Sequence, residues 1–421
     1  MDRRSFLAGS AASGLLFVKP QTAFGYQANS AVRLGLLGCG GRGTAVATSF
    51  AQNTTARITA LADIFADNLS TAQGHFNTVN GQLGLGALDP RLLFKGPDAF
   101  RQLAHSTEID MIQISTPPFF HVEHLEAAIA GGKHVYCEKP VGVDIVQAKK
   151  ALEIAKSVNG KVSVDVGFQV RKAPPIAAVF ERVQRGDLGK IATITGNYNA
   201  PASKEKVRPG ESADEYRLRN WLWYRALSGD ILLEQNIHII DLCNWALGAH
   251  PLKAVATGGR SVIQHAGDCW DNYQVIYTYP NDVHVSFSST QFGNYTSFNA
   301  GLQIFGSDGE ASAPYAGQVQ IQGSHPWSWE SPTPQGAPTG AFSANGTFSD
   351  NLSLADRDKD RSFIESITSG KHHNQIAEGV DTALTCMLGR MAGYQNHEVT
   401  WTDLMEHGET YALGMNLNQF A

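Results

Sequence analysis

The residues best suited to chemistry in this 421-residue chain sit in a few short runs. Gly38-Cys39-Gly40-Gly41-Arg42-Gly43 is a GxGxxG run. Its glycines permit a tight turn, close backbone approach to a pyrophosphate, and close helix–strand packing. Tyr136-Cys137-Glu138-Lys139-Pro140 sets an ammonium group before a proline, which stiffens the backbone that carries it. Glu234, His238 and Asp241 stand at i, i+4 and i+7, so a helix would present an acid, an imidazole and a second acid on one face. The chemistry implied is phosphate binding by backbone amides and proton transfer near neutral pH.

The elements that must position these runs follow from the apolar pattern. Val32–Leu37 is a short apolar run ending in glycine, as a buried parallel strand requires. Thr44–Ala51 reads as a helix and Arg57–Ala62 as the next strand. Asp110–Ser115 is a strand stopped by Thr116-Pro117-Pro118, followed by a helix over His121–Ala130 and a strand over His134–Cys137. A helix over Ile145–Val158 and a strand over Lys161–Val166 complete the series. Repeated βα units of this length predict a doubly wound parallel sheet.

Asp63 closes the nucleotide signature. It lies twenty residues past Gly43, at the end of the next strand, where a carboxylate accepts from ribose hydroxyls. A carboxylate there repels a 2′-phosphate, so NAD is favoured over NADP. The expected organisation is a leader over residues 1–30, a Rossmann domain over 31–165 and an α+β domain over 166–421.

After about residue 170 the pattern changes. Ile191–Tyr198, Ala254–Gly258, Tyr273–Tyr279, Val283–Ser289 and Leu302–Phe305 read as strands without intervening helices. They predict a large, mostly antiparallel sheet, interrupted by one helix from about Leu232 to Leu247, with a closing helix over Ile376–Met391. The Gly-, Pro- and Ser-rich stretch from Ala311 to Thr347 is expected as an irregular surface excursion. Trp327 and Trp329 lie inside it; reach to a neighbouring subunit's site is the lesser of the readings open to them. Trp223 and Tyr224 could stack on a sugar ring, but core packing is the stronger account of both.

These runs resemble the Gfo/Idh/MocA oxidoreductases. The resemblance spans residues 31–421 and includes the glycine loop, Ser115-Thr116-Pro117 with His121, and Glu138-Lys139-Pro140 after Gly132-Lys133-His134-Val135. The acid-x-x-x-His-x-x-Asp run and the Gly306-Ser307-Asp308-Gly309-Glu310 turn also match. The resemblance implies that Gly38, Gly40, Gly41, Arg42, Gly43, Asp63, Ser115, Thr116, Pro117, His121, Glu138 and Lys139 line the cofactor site. It implies that Lys139 orients the nicotinamide and polarises the reacting hydroxyl, with His238 as general acid/base. Glu234 stands where many members carry Asp. Arg171, Glu234, His238, Asp241 and Tyr224 are expected to meet a sugar, glycoside or polyol; Asp241 could equally serve to orient His238.

Composition limits the alternatives. Hydrophobic residues make up 43% and charged residues 17%, as in a globular protein, and the net charge of -6 gives no basic footprint for nucleic acid. Five cysteines form no metal-type spacing, and Cys39 and Cys137 read as small apolar fillers. No apolar run reaches the roughly 20 residues of a permanent membrane span. Arg3-Arg4-Ser5-Phe6-Leu7, an apolar stretch from Ala8 to Val18 and small residues near Ala23 read as a twin-arginine leader. Export to the periplasm, away from the nicotinamide pool, implies a cofactor held tightly and restored in each cycle. Such a cycle ends either in redox interconversion of sugars or in glycoside cleavage through transient oxidation at C3. A non-catalytic sugar-binding protein on the same fold is the remaining class. An open sheet face is expected to pair subunits into a dimer or tetramer.

Overall fold

A computed structural model describes residues 31–292, 298–330 and 350–421. Residues 1–30, read from sequence as a twin-arginine leader, and residues 331–347 of the expected excursion lie outside the described residues.

The first half alternates strand and helix: β1 (Arg33–Leu37), α1 (Gly41–Asn53), β2 (Arg57–Asp63), α2 (Ala66–Gln82), β3 (Leu93–Lys95), α3 (Ala99–His105), β4 (Met111–Ile114), α4 (His121–Ala130), β5 (His134–Cys137), α5 (Ile145–Ser157) and β6 (Val164–Val166). The six strands form one parallel sheet in the order β3-β2-β1-β4-β5-β6. Helices cover both faces, which is why β4 and β6 are buried at every position. The order reverses between β1 and β4, the topological switch point where ligands bind in such folds.

The second half places α6 (Pro174–Arg185) before β7 (Ile191–Ala200), then α7 (Ala213–Arg219), α8 (Arg225–Ser228), α9 (Ile231–Glu234) and α10 (Ile237–Leu247). Strands β8 (Lys253–Gly259), β9 (Asn272–Tyr279), β10 (Val283–Gln291), β11 (Asn299–Gly306), β12 (Gly309–Pro314), β13 (Gln320–Gly323) and β14 (Trp327–Ser328) follow. With β15 (Val399–Thr400) they make a nine-stranded sheet in the order β14-β13-β12-β11-β7-β10-β9-β8-β15. It is antiparallel except for β7 with β10. Alternation sets its faces: in β10, Val283, Val285 and Phe287 are buried while His284 and Ser286 are exposed.

Three expectations change. The first part of the excursion is not irregular: residues 309–328 supply β12, β13 and β14 at one sheet edge, and Arg182 lies 4.1 Å above the Trp327 ring. The helix expected from Leu232 to Leu247 is broken. The amides of Gln235 and Asn236 both donate to the Ile231 carbonyl, at 3.0 Å each, and this wide turn separates α9 from α10. Residues beyond 350 also return to the parallel sheet's side. Helix α11 (Ala355–Thr368) packs on α1, and Asn374 bridges Val164, before α12 (Ile376–Gln395) closes the fold. All five cysteines are free and buried, Cys39 and Cys137 as fillers.

Candidate active site

The nucleotide cleft opens at the switch point. Gly38, Gly40, Gly41, Asp63, Ser115, Thr116 and Pro117 line a cavity of about 270 Å³. Gly38 needs glycine for two reasons: its φ is +91°, and a Cβ would lie 2.6 Å from the Ser115 backbone. Gly43 does not line the cleft; a Cβ there would sit 2.1 Å from the Gly38 carbonyl oxygen, which is the close helix–strand packing expected of the third glycine. At Gly40 and Gly41 a Cβ would meet nothing within 4 Å. This open cradle at the N-terminus of α1, where the helix dipole favours an anion, fits a pyrophosphate.

The two glycine positions predict opposite failures. Gly43→Ala should lower stability by about 1–3 kcal/mol, the usual range for overpacking. Gly41→Ala should unfold at the wild-type temperature yet bind nucleotide at least tenfold more weakly. Thermal unfolding and nucleotide titration of both variants check this.

Asp63 is 6% exposed, and its Oδ2 accepts from the Cys39 amide at 2.7 Å while Oδ1 accepts from the Phe65 amide at 2.8 Å. It therefore fixes the glycine loop as well as facing the cleft. Burial pushes its pKa above the ordinary aspartate value, opposed by those hydrogen bonds.

Arg42, His121, Glu138 and Lys139 stand outside the cleft lining. Arg42 Nε donates to Glu138 Oε1 at 3.0 Å, and Arg42 Nη2 lies 3.3 Å from Asp356 Oδ1. Lys359 reaches Asp356 at 2.8 Å and the Tyr136 hydroxyl at 3.0 Å, so this buried network ties α11 to α1 and β5. His121 is 1% exposed and spends both ring nitrogens on backbone carbonyls, Pro140 at 2.8 Å and Thr116 at 2.7 Å. It braces the Lys139-Pro140 segment against the Thr116-Pro117 turn.

The groups with catalytic chemistry meet beyond the end of β5. Lys139 Nζ lies 2.9 Å from Glu234 Oε1, with both side chains nearly buried, and also donates to the Glu234 backbone carbonyl. His238 is 7% exposed, its ring edge-on to Phe168 at 6.4 Å, and its Nδ1 is buried without a partner. Burial first, then the charges of Lys139 and Arg42, hold its pKa well below the ordinary histidine value. The imidazole is thus neutral at working pH and able to accept a proton.

The break between α9 and α10 redistributes the expected stripe. Glu234 leaves the stripe, while His238 and Asp241 stay three residues apart on α10, where Asp241 is held by other partners. Asp241 is 1% exposed and takes both Arg171 Nε and Nη2 at 2.7 Å, with the Thr382 hydroxyl at 3.0 Å. This bidentate pair, with Arg171 Nη1 also 3.2 Å from Glu378 Oε2, gives Arg171 and Asp241 a role in anchoring α10. Tyr224 is also elsewhere: it lies beneath Arg217 in an apolar cluster with Phe65, Phe120 and Leu218 at the nucleotide cleft. Trp223 is core, 1% exposed.

Sequence reasoning passed over the far wall of the nucleotide cleft. Lys206, Arg208, Leu218, Arg219 and Trp221, all from the second half, line it opposite Asp63. The only signal was the basic and aromatic crowding of residues 204–225, which spacing alone cannot assign to a site 140 residues upstream. Asp356 and Lys359 were missed for the same reason.

Comparison with known proteins agrees with this geometry. Residues 32–166 match the oxidoreductase family with an NAD-binding Rossmann fold, and residues 176–312 match the GFO/IDH/MocA C-terminal domain. Inositol 2-dehydrogenase from Rhizobium meliloti (strain 1021) is 25% identical over 69% of this chain and 78% of its own length. Levoglucosan dehydrogenase in complex with NADH superposes with a TM-score of 0.68 at 18% identity, covering 88% of this chain and 99% of that one. Aldose-aldose oxidoreductase from Caulobacter crescentus, complexed with glycerol, gives 0.64 at 20% identity, again over 88% and 99%. With a glycine-lined nucleotide cleft beside Lys139, Glu234 and His238, and both family domains matched in order over most of its length, the chain belongs to the Gfo/Idh/MocA family of NAD(P)-dependent carbohydrate oxidoreductases.

Proposed function

We propose that this protein transfers hydride between NAD(H) and a hydroxyl-bearing carbon of a sugar, glycoside or polyol, using Lys139, Glu234 and His238. The juxtaposition of Lys139 and Glu234 beside a neutral, buried His238 carries the reading. Nicotinamide, when bound, supplies the hydride acceptor at C4. His238 takes the hydroxyl proton, Lys139 polarises that oxygen, and Glu234 holds the ammonium in place. Proton removal as hydride departs keeps charge from building on the carbon. The relatives named for inositol, levoglucosan and aldose substrates support this substrate class.

We also propose that the cofactor stays bound between turnovers. The adenosine end of the cleft lies under a clasp. Arg219 pairs with Asp67 at 2.9 Å, Arg208 pairs with the same carboxylate, and Arg219 stacks 3.7 Å above Phe65. Phe420 packs edge-on against Phe65, with ring centroids 5.4 Å apart. The two arginines lower the pKa of Asp67 to about 2, so the latch stays charged down to acid pH and is lost only as pH falls through that value. A retained cofactor agrees with the twin-arginine leader, which we take to direct export. A dimer or tetramer through the open sheet face completes the proposal, and light scattering measures it.

The test begins with heat denaturation of the purified protein and mass analysis of the supernatant. Released NAD(H) supports retention; an empty supernatant refutes it. Incubation with inositol, levoglucosan and aldose pairs then reads the reaction. Sugar oxidation or interconversion confirms the oxidoreductase, whereas phenol release from aryl glycosides reassigns the chain as a glycosidase. Asp67→Ala should speed nucleotide dissociation about 3- to 10-fold, as expected for losing two part-exposed ion pairs. Stopped-flow displacement checks that figure.

A further inference from the structure

Lys139 and Glu234 meet across 95 residues of chain, and among the described residues no backbone hydrogen bond joins the segments that carry them. Lys139 leads into a loop that runs through Val143 to the start of α5. Glu234 ends α9, which the Gly229-Asp230 turn opens. Their separation must be fixed by side chains.

Arg390 of α12 bonds to both segments. It is 1% exposed, and its Nη1 donates to the Val143 carbonyl at 3.0 Å and to the Gly229 carbonyl at 2.7 Å. Its Nε donates to Glu409 Oε2 at 3.0 Å, and its guanidinium carbon lies 5.2 Å from the Tyr411 ring centroid. These contacts fix the plane of the fork.

Tyr394 stands one helical turn further along the same face of α12, and its hydroxyl donates to Asp230 Oδ2 at 2.7 Å. Two side chains on neighbouring turns therefore grip two consecutive residues. Both of those residues sit at positive φ. Gly229 is at +83°, where a Cβ would lie 2.1 Å from Leu233 Cδ2. Asp230 is at +79°, and its Oδ1 caps α9 through the Ile231 amide at 2.6 Å. A non-glycine residue keeps such a backbone only where its surroundings over-determine it.

We propose that Arg390 is a positioning residue for the reaction: by joining the Val143 loop to the Gly229 turn, it sets the contact of Lys139 with Glu234. This inference rests on the roles given above to Lys139 and Glu234. A lysine at 390 would keep the charge, but its single ammonium cannot reproduce a planar fork that bonds Glu409 and two carbonyls together. Arg390 supplies geometry and not charge alone.

The experiment exposes the full chain, as wild type, Arg390→Lys and Arg390→Met, briefly to acetic anhydride and reads acetylation at each lysine by peptide mass analysis. Lys139 is shielded by its contact with Glu234, whereas Lys359, 2% exposed, reports general loosening of the fold. Both variants should raise the acetylation rate of Lys139 by about tenfold or more, the range for losing one hydrogen bond to a charged group, with Lys359 unchanged. Arg390→Lys covers the case in which Arg390→Met fails to fold. An unchanged Lys139 rate overturns the proposal. So does an equal rise at Lys359, which marks a purely structural arginine.

Turnover of inositol gives a second reading. Arg390→Lys should lower kcat by about 10- to 100-fold, as a misplaced catalytic group does. In a Lys139→Ala background the same substitution should lower kcat no further, because its effect passes through Lys139. Equal losses in both backgrounds overturn the positioning role. If wild type leaves inositol untouched, that substrate falls while acetylation still decides the role of Arg390.

Discussion

His238→Ala is expected to lower kcat about 10²- to 10³-fold without releasing the nucleotide. The magnitude is that of removing a general base from proton transfer. Nucleotide binding should persist because the cleft is lined by Gly38, Gly40, Gly41 and Asp63, none of which touches the imidazole. The pH profile provides the sharper readout. Burial and the fields of Lys139 and Arg42 depress the His238 pKa, so the neutral, base-competent form dominates above that lowered value. As pH falls through it, the imidazole gains a proton and activity is lost. The acid limb of kcat/KM should therefore lie below pH 6.5, the ordinary histidine value, and should vanish in His238→Ala. A wild-type limb at or above that pH, or a variant with undiminished rate, removes His238 from the reaction.

The nucleotide half was legible because each step rests on local rules. A fully buried strand, a glycine turn and a helix start leave a pattern within about ten residues, and Asp63 follows one strand later. The strands of the second sheet were legible for a similar reason: period-two burial, as in β9 and β10, shows in the sequence itself. The strands in residues 309–328 were masked by Gly, Ser and Gln, since short edge strands carry little hydrophobic signal. The break at Gln235–Asn236 left no trace either, because neither residue is a helix breaker.

That break separates Glu234 from the helix that carries His238 and Asp241. An uninterrupted helix would have pooled Glu234 with His238 and Asp241; the wide turn detaches Glu234, which meets Lys139, while Asp241 stays on the helix of His238 and pairs with Arg171. Lys139 and Glu234 are 95 residues apart, so only the family resemblance linked them. Arg219 and Asp67 show the limit of sequence reasoning. Their roles depend on one domain folding across the other, and no local pattern encodes that.

Lys139→Ala should lower kcat by about 10²- to 10³-fold, the usual cost of deleting one donor aimed at a developing oxyanion. Two causes contribute, and they are separable. The ammonium polarises the reacting oxygen, and it also neutralises Glu234, whose nearly buried carboxylate is left uncompensated by the substitution. The second cause is structural and should appear as a lowered melting temperature in Lys139→Ala alone. Lys139→Ala combined with Glu234→Gln removes both charges, so the melting temperature should return towards wild type. If Lys139 acts on substrate, the rate stays low in that double variant. If Lys139 serves only to hold Glu234, the double variant should be no slower than Glu234→Gln by itself. Bound nucleotide, measured after heat release, should match wild type throughout, because Lys139 stands outside the cleft that holds the adenosine end.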